Sequence, residues 1–152
     1  QRLLLHHFGL WLALNAGIFG SSDVQTLRIP LYAGQPGREA YNMDGKVYYL
    51  DYELELYSFN TEYYPNGMPS RFAADVRIGE QRTTLEVNHP HSYRLGEDIY
   101  LTGYDTRNVG NTRYCILQIV RQPWKYVMVT GILMMLAGAV LLFINGPKKA
   151  KS

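Results

Sequence analysis

The chain has 152 residues, 47% of them hydrophobic and 18% charged, and a net charge of +2, and this length is typical of one domain. The charge is unevenly distributed, because residues 22–122 hold all thirteen acidic residues but only ten of the fifteen basic ones, a net charge of −3. A basic domain that binds nucleic acid is therefore excluded. The single cysteine, Cys115, excludes an internal disulfide, a Cys-x-x-Cys redox pair and a cysteine-rich zinc site.

The first apolar run covers residues 3–21 and has two explanations. A cleaved signal peptide has an apolar region of similar length, and small residues follow at positions 20–22. Two histidines and Asn15 lie inside the run, however, and signal peptides avoid such polar groups in their apolar core. We therefore predict a membrane helix over residues 1–21. Because the chain begins with Gln1 and not with Met, we expect that the N-terminal end of this helix has been cut.

A second apolar run, residues 124–144, is long enough to cross the roughly 30 Å of a bilayer's hydrocarbon core. Trp124 and Tyr126 lie at its start, where an aromatic belt is common, and we predict a membrane helix over residues 123–145. Gly131 and Gly138 are seven residues apart, a spacing that permits another helix to approach closely. A specific helix–helix contact and ordinary glycine usage explain this spacing equally well.

The basic residues after the second run indicate the orientation of the chain. Lys148, Lys149 and Lys151 make residues 146–152 a cytoplasmic basic tail by the positive-inside rule, and Arg2 supports the same side for the N-terminus. Residues 22–122 are then an extracytoplasmic domain. The predicted location is the bacterial inner, cytoplasmic membrane.

The middle of the chain shows the two-residue periodicity of strands from Arg28 onward. Residues 39–43 and 46–50 flank Asp44-Gly45, which predicts a hairpin with a type I′ turn. Further candidate strands are residues 54–58, 72–78, 81–87, 98–104 and 114–120. Six or seven short strands with regular Gly, Pro and Asn turns predict an all-β domain, an antiparallel sandwich or an open barrel. Cys115 lies within the last strand, where its expected role is core packing.

His6 and His7 are the most informative candidate site residues. An ionisable group inside a membrane helix is costly, and it usually faces a partner helix, a water-filled path or a cofactor. Histidine is also a common axial ligand of haem iron. The alternative is that both imidazoles lie near the membrane interface, where they reach the headgroups at little cost.

No other segment forms a catalytic or metal-binding motif. His89 and His91 would share a face of a strand, but Pro90 between them breaks strand pairing and favours a turn over a metal site. Glu53 and Glu55 alternate with leucines, as on the solvated face of a strand. Since neither a nucleophile elbow, a phosphate loop nor a metalloprotease motif occurs, we do not expect an enzyme.

Several segments resemble the ResB family, also called CcsB. The stretch HFGLWLALNAGIFGSSD resembles the third membrane helix of that family, and YPNGMPSRFAADVRI and LEVNHPHSYRLGEDIYLTGYD resemble the later part of its extracytoplasmic domain. Within the last stretch the most specific piece is residues 87–90, followed by Tyr93-Arg94, Tyr100 and Tyr104-Asp105. Residues 118–123 and the apolar run after them also look like the end of the family's chain.

The resemblance implies a membrane subunit of the System II machinery for cytochrome c maturation. Such a subunit works with a ResC or CcsA-like membrane protein to move haem outward and to present it to apocytochrome c. In fused forms of the two subunits a histidine in a membrane helix of the ResB half helps to ligate haem. His7, directly before Phe8-Gly9-Leu10, is the first candidate for that role and His6 the second. Any haem-attachment chemistry would belong to the assembled complex.

Three departures from the family pattern and two rival functions remain. One departure is that the β-domain is short relative to that of larger family members. The family usually has four membrane helices, of which this chain supplies the last two, and residues 122–124 stand where an Asp-Pro-Gly-like turn is frequent. The first rival function is that of a membrane-anchored β-domain with a structural or protein-binding role in the envelope. The second is that of a periplasmic hydrolase or metal-binding protein, which would require acidic residues beside His89 and His91.

Overall fold

The structure, a computed structural model, describes residues 1–105, 107 and 112–145. It consists of two compact units, one that holds both helices and one that comprises Gln25–Arg121. The predicted basic tail, residues 146–152, lies outside the described residues.

The helical unit contains α1, Arg2–Ser21, and α2, Lys125–Asn145. Both helices are long and apolar enough to cross a membrane, with mean hydropathies of 1.4 and 2.6 over their candidate spans. Twenty residues at about 1.5 Å each give the roughly 30 Å that a hydrocarbon core requires. Pro123 lies two positions before Lys125, the first residue of α2, where the missing N–H of proline costs no helical hydrogen bond.

The second unit is a single antiparallel sheet of eight strands in the order β5-β4-β3-β2-β1-β8-β7-β6. The strands are β1 Gln25–Tyr32, β2 Gly37–Tyr41, β3 Val47–Tyr63, β4 Pro69–Ile78, β5 Gln81–Glu86, β6 His91–Arg94, β7 Glu97–Tyr104 and β8 Tyr114–Arg121. The sheet curls into a nearly closed barrel whose open seam lies between the edge strands β5 and β6. Tyr52 of β3 donates a hydrogen bond to Glu97 of β7, which lies on the other side of this seam. This confirms the predicted all-β domain and favours the open barrel over the sandwich.

The core of the barrel comes from the alternate, inward-facing residues of its strands. Leu54 and Leu56 are completely buried, whereas Glu53 and Glu55, which alternate with them, face outward, as the sequence pattern predicts. Cys115 is also completely buried, so its predicted packing role is confirmed. The other large side chains that are fully buried are Leu27, Ile29, Leu31, Val76, Ile78, Leu85, Ile99, Leu117 and Ile119.

The predicted β2–β3 hairpin exists, but its turn is not type I′. Asn42 N–H bonds to the Lys46 carbonyl and closes a three-residue loop, in which Gly45 alone has a positive φ, of 81°. A type I′ turn would need two positive φ values. The Asn42 side chain accounts for the wider loop, because its Oδ1 accepts hydrogen bonds from the backbone N–H groups of Asp44 and Lys46.

The region around His89 and Pro90 combines a turn and a short strand. His89 N–H donates to the Glu86 carbonyl across a tight turn in which Asn88 has a φ of 67°. The turn predicted for this segment is therefore present. His91 nevertheless begins β6, a strand that the sequence analysis did not predict, because four residues after a proline are too few for a periodic pattern.

Candidate functional site

The two helices pack antiparallel against each other through glycines. A Cβ on Gly131 would lie 2.6 Å from the Ala13 nitrogen, and one on Gly138 would lie 2.7 Å from the His6 nitrogen. Gly9 is equally tight, since its Cβ would lie 2.5 Å from the Met135 nitrogen. Only residues without a side chain permit backbones to approach this closely in a membrane. The specific contact that the spacing of Gly131 and Gly138 suggested is confirmed, and its partner is α1 of the same chain.

His6 lies in this helix–helix contact. Its Nδ1 is 3.0 Å from the backbone carbonyl oxygen of Met135 in α2, and the residue is half-buried. Because a carbonyl oxygen can only accept, Nδ1 carries the proton that it donates there. In the neutral imidazole Nε2 therefore holds the free lone pair.

His7 has the same tautomer but a different environment. Its Nδ1 donates to the Leu3 carbonyl oxygen of the preceding turn at 2.8 Å, and the side chain is exposed on the helix pair. The two ring centroids lie 5.6 Å apart, with an angle of 82° between the ring planes. Consecutive helical residues point about 100° apart, so the two side chains leave α1 in different directions. His7 is thus open to a group outside the helix pair, whereas His6 is held by α2.

The surface beside His7 is apolar. Leu3 and Leu4 are 59% and 73% exposed, and one turn onward Phe8 stacks on Trp11 with ring centroids 5.8 Å apart. In a bilayer these side chains would lie against lipid or against a planar apolar ligand. His7 thus offers an imidazole with a free Nε2 beside exposed leucines, a nitrogen donor of the kind that can bind a haem iron.

An open cavity of about 240 Å³ lies at the other end of the helix pair. It is bounded by Ala16, Gly17 and Gly20 of α1 and by Trp124 and Met128 of α2. His6 and His7 are about two and a half to four turns away along α1, so this cavity is not part of their site.

The barrel carries a buried polar network that the sequence analysis missed. Tyr52 donates a hydrogen bond to Oε1 of buried Glu97, whose Oε2 lies 3.3 Å from Arg121 Nε. Burial, with the Glu97 hydrogen bond and charge, raises the pKa of Tyr52 far above its usual range. Tyr52 therefore stays protonated and remains the donor. Arg94 stacks over its ring at 5.0 Å and pairs with Asp51 at 2.6 Å.

Glu53 and Glu55 are also more constrained than a solvated strand face implies. Arg77 on the neighbouring strand lies 2.7 Å from Glu53 and 3.0 Å from Glu55, and it also donates to the Gly79 carbonyl. The two carboxylates thus hold β3 to β4 and its turn. Both carboxylates form ion pairs with Arg77, and they are not arranged as a catalytic pair of general acid and general base.

The histidines of the barrel do not form a metal centre. His89 is exposed and its Nδ1 lies 3.3 Å from the Val87 carbonyl, whereas His91 pairs with Ile99 across β6 and β7. Within residues 1–105, 107 and 112–145 there is no group of three His, Cys, Asp or Glu side chains that could hold a metal ion. This part of the chain gives no support to a metal-dependent hydrolase.

Comparison with known protein families identifies the family of the chain. The model of the ResB-like family matches residues 3–113, most of the chain and all of the segments that carry the resemblance except the last. The chain belongs to the ResB-like family. The match covers α1 and most of the barrel of this ResB-like protein, and the likeness of residues 118–123 to the family's end stays a prediction. None of the curated proteins matches the chain.

Membership of the ResB-like family supports a role related to cytochrome c biogenesis, as an accessory component that acts with a membrane partner. The two helices, which are long and apolar enough to span a bilayer, make the ResB-like chain a membrane protein.

Proposed function

We propose that this ResB-like protein is a subunit of a cytochrome c maturation complex that helps to move haem across the membrane and to present it to apocytochrome c. The partner is a ResC or CcsA-like protein in the same bilayer. His7 ligates haem within the membrane, and His6 beside it is the second candidate. The chain is an accessory subunit in the inner membrane, with its barrel on the extracytoplasmic side, and the assembled complex performs the attachment chemistry.

The observation that carries this proposal is the state of the His7 ring. Its Nδ1 donates to the Leu3 carbonyl at 2.8 Å, which leaves Nε2 as the free donor atom on an exposed apolar surface. Histidines that bind metals usually donate their other ring nitrogen to a carbonyl or carboxylate in this way, because that bond orients the ring. Leucine side chains around it suit the macrocycle of haem better than water does.

His6 would act differently. Its ring donates to Met135 in α2, so its position depends on the contact between α1 and α2. It lies 5.6 Å from the His7 ring, close enough to limit the orientations that His7 can adopt. We therefore assign His6 as a positioning residue and His7 as the ligand.

The test is the haem content of the complex co-purified from cells with its CcsA-like partner. His7→Ala should lower haem retention strongly, while His6→Ala should lower it less, and both variants should keep a folded barrel. Asn15→Ala, which removes another polar side chain of the same helix, is the matched control and should retain haem. Unchanged haem content in the His6→Ala/His7→Ala double variant would contradict the proposal and favour a structural or protein-binding role for the barrel.

A further inference from the structure

Two hairpin tips flank the strands by which the barrel connects to the helices. Gln25 of β1 and Arg121 of β8 pair with each other at one end of the sheet, and the chain continues from them into α1 and α2. On the β1 side, Tyr41 pairs with Arg28, so the loop after Tyr41 extends in the direction of Gln25. On the β8 side, Glu97 pairs with Arg121, and the turn of Leu95 and Gly96 lies just beyond that level.

Each of these tips presents an exposed apolar side chain. Met43 in the β2–β3 loop is 69% exposed, and Leu95 in the β6–β7 turn is 82% exposed. Turns on soluble domains usually carry polar residues at such positions. Strands in a sheet lie about 4.8 Å apart, so tips on β2 and β7 are separated by roughly 15 Å, with the two connecting strands between them.

The connections to the helices are short. Three residues separate Ser21 from Gln25, and three separate Arg121 from Lys125, so each connection can span at most about 14 Å. Trp124 Nε1 donates to Asp23 Oδ2 at 2.6 Å and ties the two connections to each other. The interfacial layer of a bilayer is about 5–8 Å thick on each side. When the helices span the hydrocarbon core, connections of this length allow the end of the sheet at Gln25 and Arg121 to reach the lipid headgroups.

We propose that Met43 and Leu95 form a membrane-contacting rim, in which both side chains insert into the interfacial layer of the bilayer on either side of the connections. The partner of this rim is the lipid surface itself. Insertion is shallow, because Asp44 follows Met43 and its carboxylate must stay among the headgroups or in water. The inference depends on the two helices spanning a membrane and not on the binding of haem.

The chain offers a matched control for this proposal. Met68 is also a methionine in a hairpin turn, it is 62% exposed, and it lies in the β3–β4 turn. Tyr63 pairs with Pro69 there, whereas Val47 at the start of the same β3 strand pairs with Tyr41 next to the rim. Met68 thus has the same chemistry and exposure at the opposite end of β3.

The experiment places a fluorescent label at each tip of the full-length protein in lipid nanodiscs. Met43→Cys, Leu95→Cys and Met68→Cys are labelled with a thiol-reactive bimane, and quenching is measured with lipids that carry a nitroxide near the headgroup or deep in the acyl chain. Native Cys115 should not interfere, because burial prevents access and raises the pKa of its thiol to about 12.

Labels at positions 43 and 95 should be quenched several-fold more than the label at 68, and more by the shallow nitroxide than by the deep one. Quenching at 43 and 95 no greater than at 68 would overturn the proposal. A blue-shifted emission without lipid quenching would also overturn it, since that result identifies a protein surface as the occupant of the rim.

Discussion

Gly138 of α2 lies against the backbone of His6 in α1, so close that a Cβ at position 138 would be 2.7 Å from the His6 nitrogen. Gly138→Ala should therefore force the helices apart near His6 and destabilise their packing by about 1–3 kcal/mol. In the complex with the CcsA-like partner it should also lower haem retention. Thermal unfolding in detergent and haem content measure the two effects.

Gly17→Ala is the matched control for this variant, because a Cβ at Gly17 would meet nothing within 4 Å. Both substitutions favour the helix by the same intrinsic propensity, so only the contact at Gly138 distinguishes them. Equal stability and haem content in the two variants would show that the close approach has no role in holding His6.

The Tyr52–Glu97 hydrogen bond should contribute to the stability of the barrel. Tyr52→Phe leaves the buried Glu97 carboxylate without one of its donors, and we expect a loss of about 1–3 kcal/mol in the free energy of unfolding. Denaturant unfolding, followed by circular dichroism, measures the change. Tyr49→Phe is the control, since Tyr49 is 74% exposed, and a similar loss in both variants would contradict a specific role for the buried pair.

The same tyrosine should make the barrel sensitive to alkali. The pKa of Tyr52 is raised in the folded state by burial and by Glu97, whereas in the unfolded chain it is about 10. Above that pH the unfolded state loses a proton that the folded state keeps, so stability should fall as pH rises. The melting temperature of wild type should decrease more steeply above pH 10 than that of Tyr52→Phe, and parallel profiles would be the contrary result.

Acid should weaken the barrel through its paired carboxyls. Hydrogen bonds from Arg94 and Arg82 lower the pKa values of Asp51 and Asp75 below the usual aspartate value of 3.8. The stabilisation is present above that value and is lost as pH falls through the lower folded pKa values, because the unfolded chain takes up protons first. Melting temperatures between pH 5 and pH 2 should decline less in Asp75→Asn than in Glu80→Gln, a control at the exposed β4–β5 turn; equal declines would contradict this linkage.

The sequence predicted the parts of the fold that local patterns determine. The apolar run of α2 and the alternating leucines of β3 each follow from neighbouring residues. The β2–β3 loop departed from its prediction because Asn42, just outside the Asp44-Gly45 pair, captures two backbone N–H groups. Here one side-chain acceptor decided the turn type.

The contacts that define the candidate site come from residues far apart in the chain. Tyr52 and Glu97 are 45 positions apart, and His6 and Met135 are 129 apart, so neither pair leaves a periodic trace in the sequence. The spacing of Gly131 and Gly138 indicated a close helix contact, but the partner surface at Gly9 and Ala13 required the structure. His6 and His7 could be identified from the sequence because ionisable residues are rare in membrane helices. The difference between their surroundings could not be predicted from the sequence.

The central claim is that His7 ligates haem, and the absorption spectrum of the co-purified complex of a His7→Gly variant tests it most directly. Removal of the ring should lower haem retention and change the Soret band, and added imidazole should restore both, since it can occupy the space that the side chain leaves. The same treatment should not alter the wild type or the Asn15→Ala control. A wild-type spectrum in His7→Gly without imidazole, or a loss that imidazole does not restore, would contradict the assignment of His7 as the ligand.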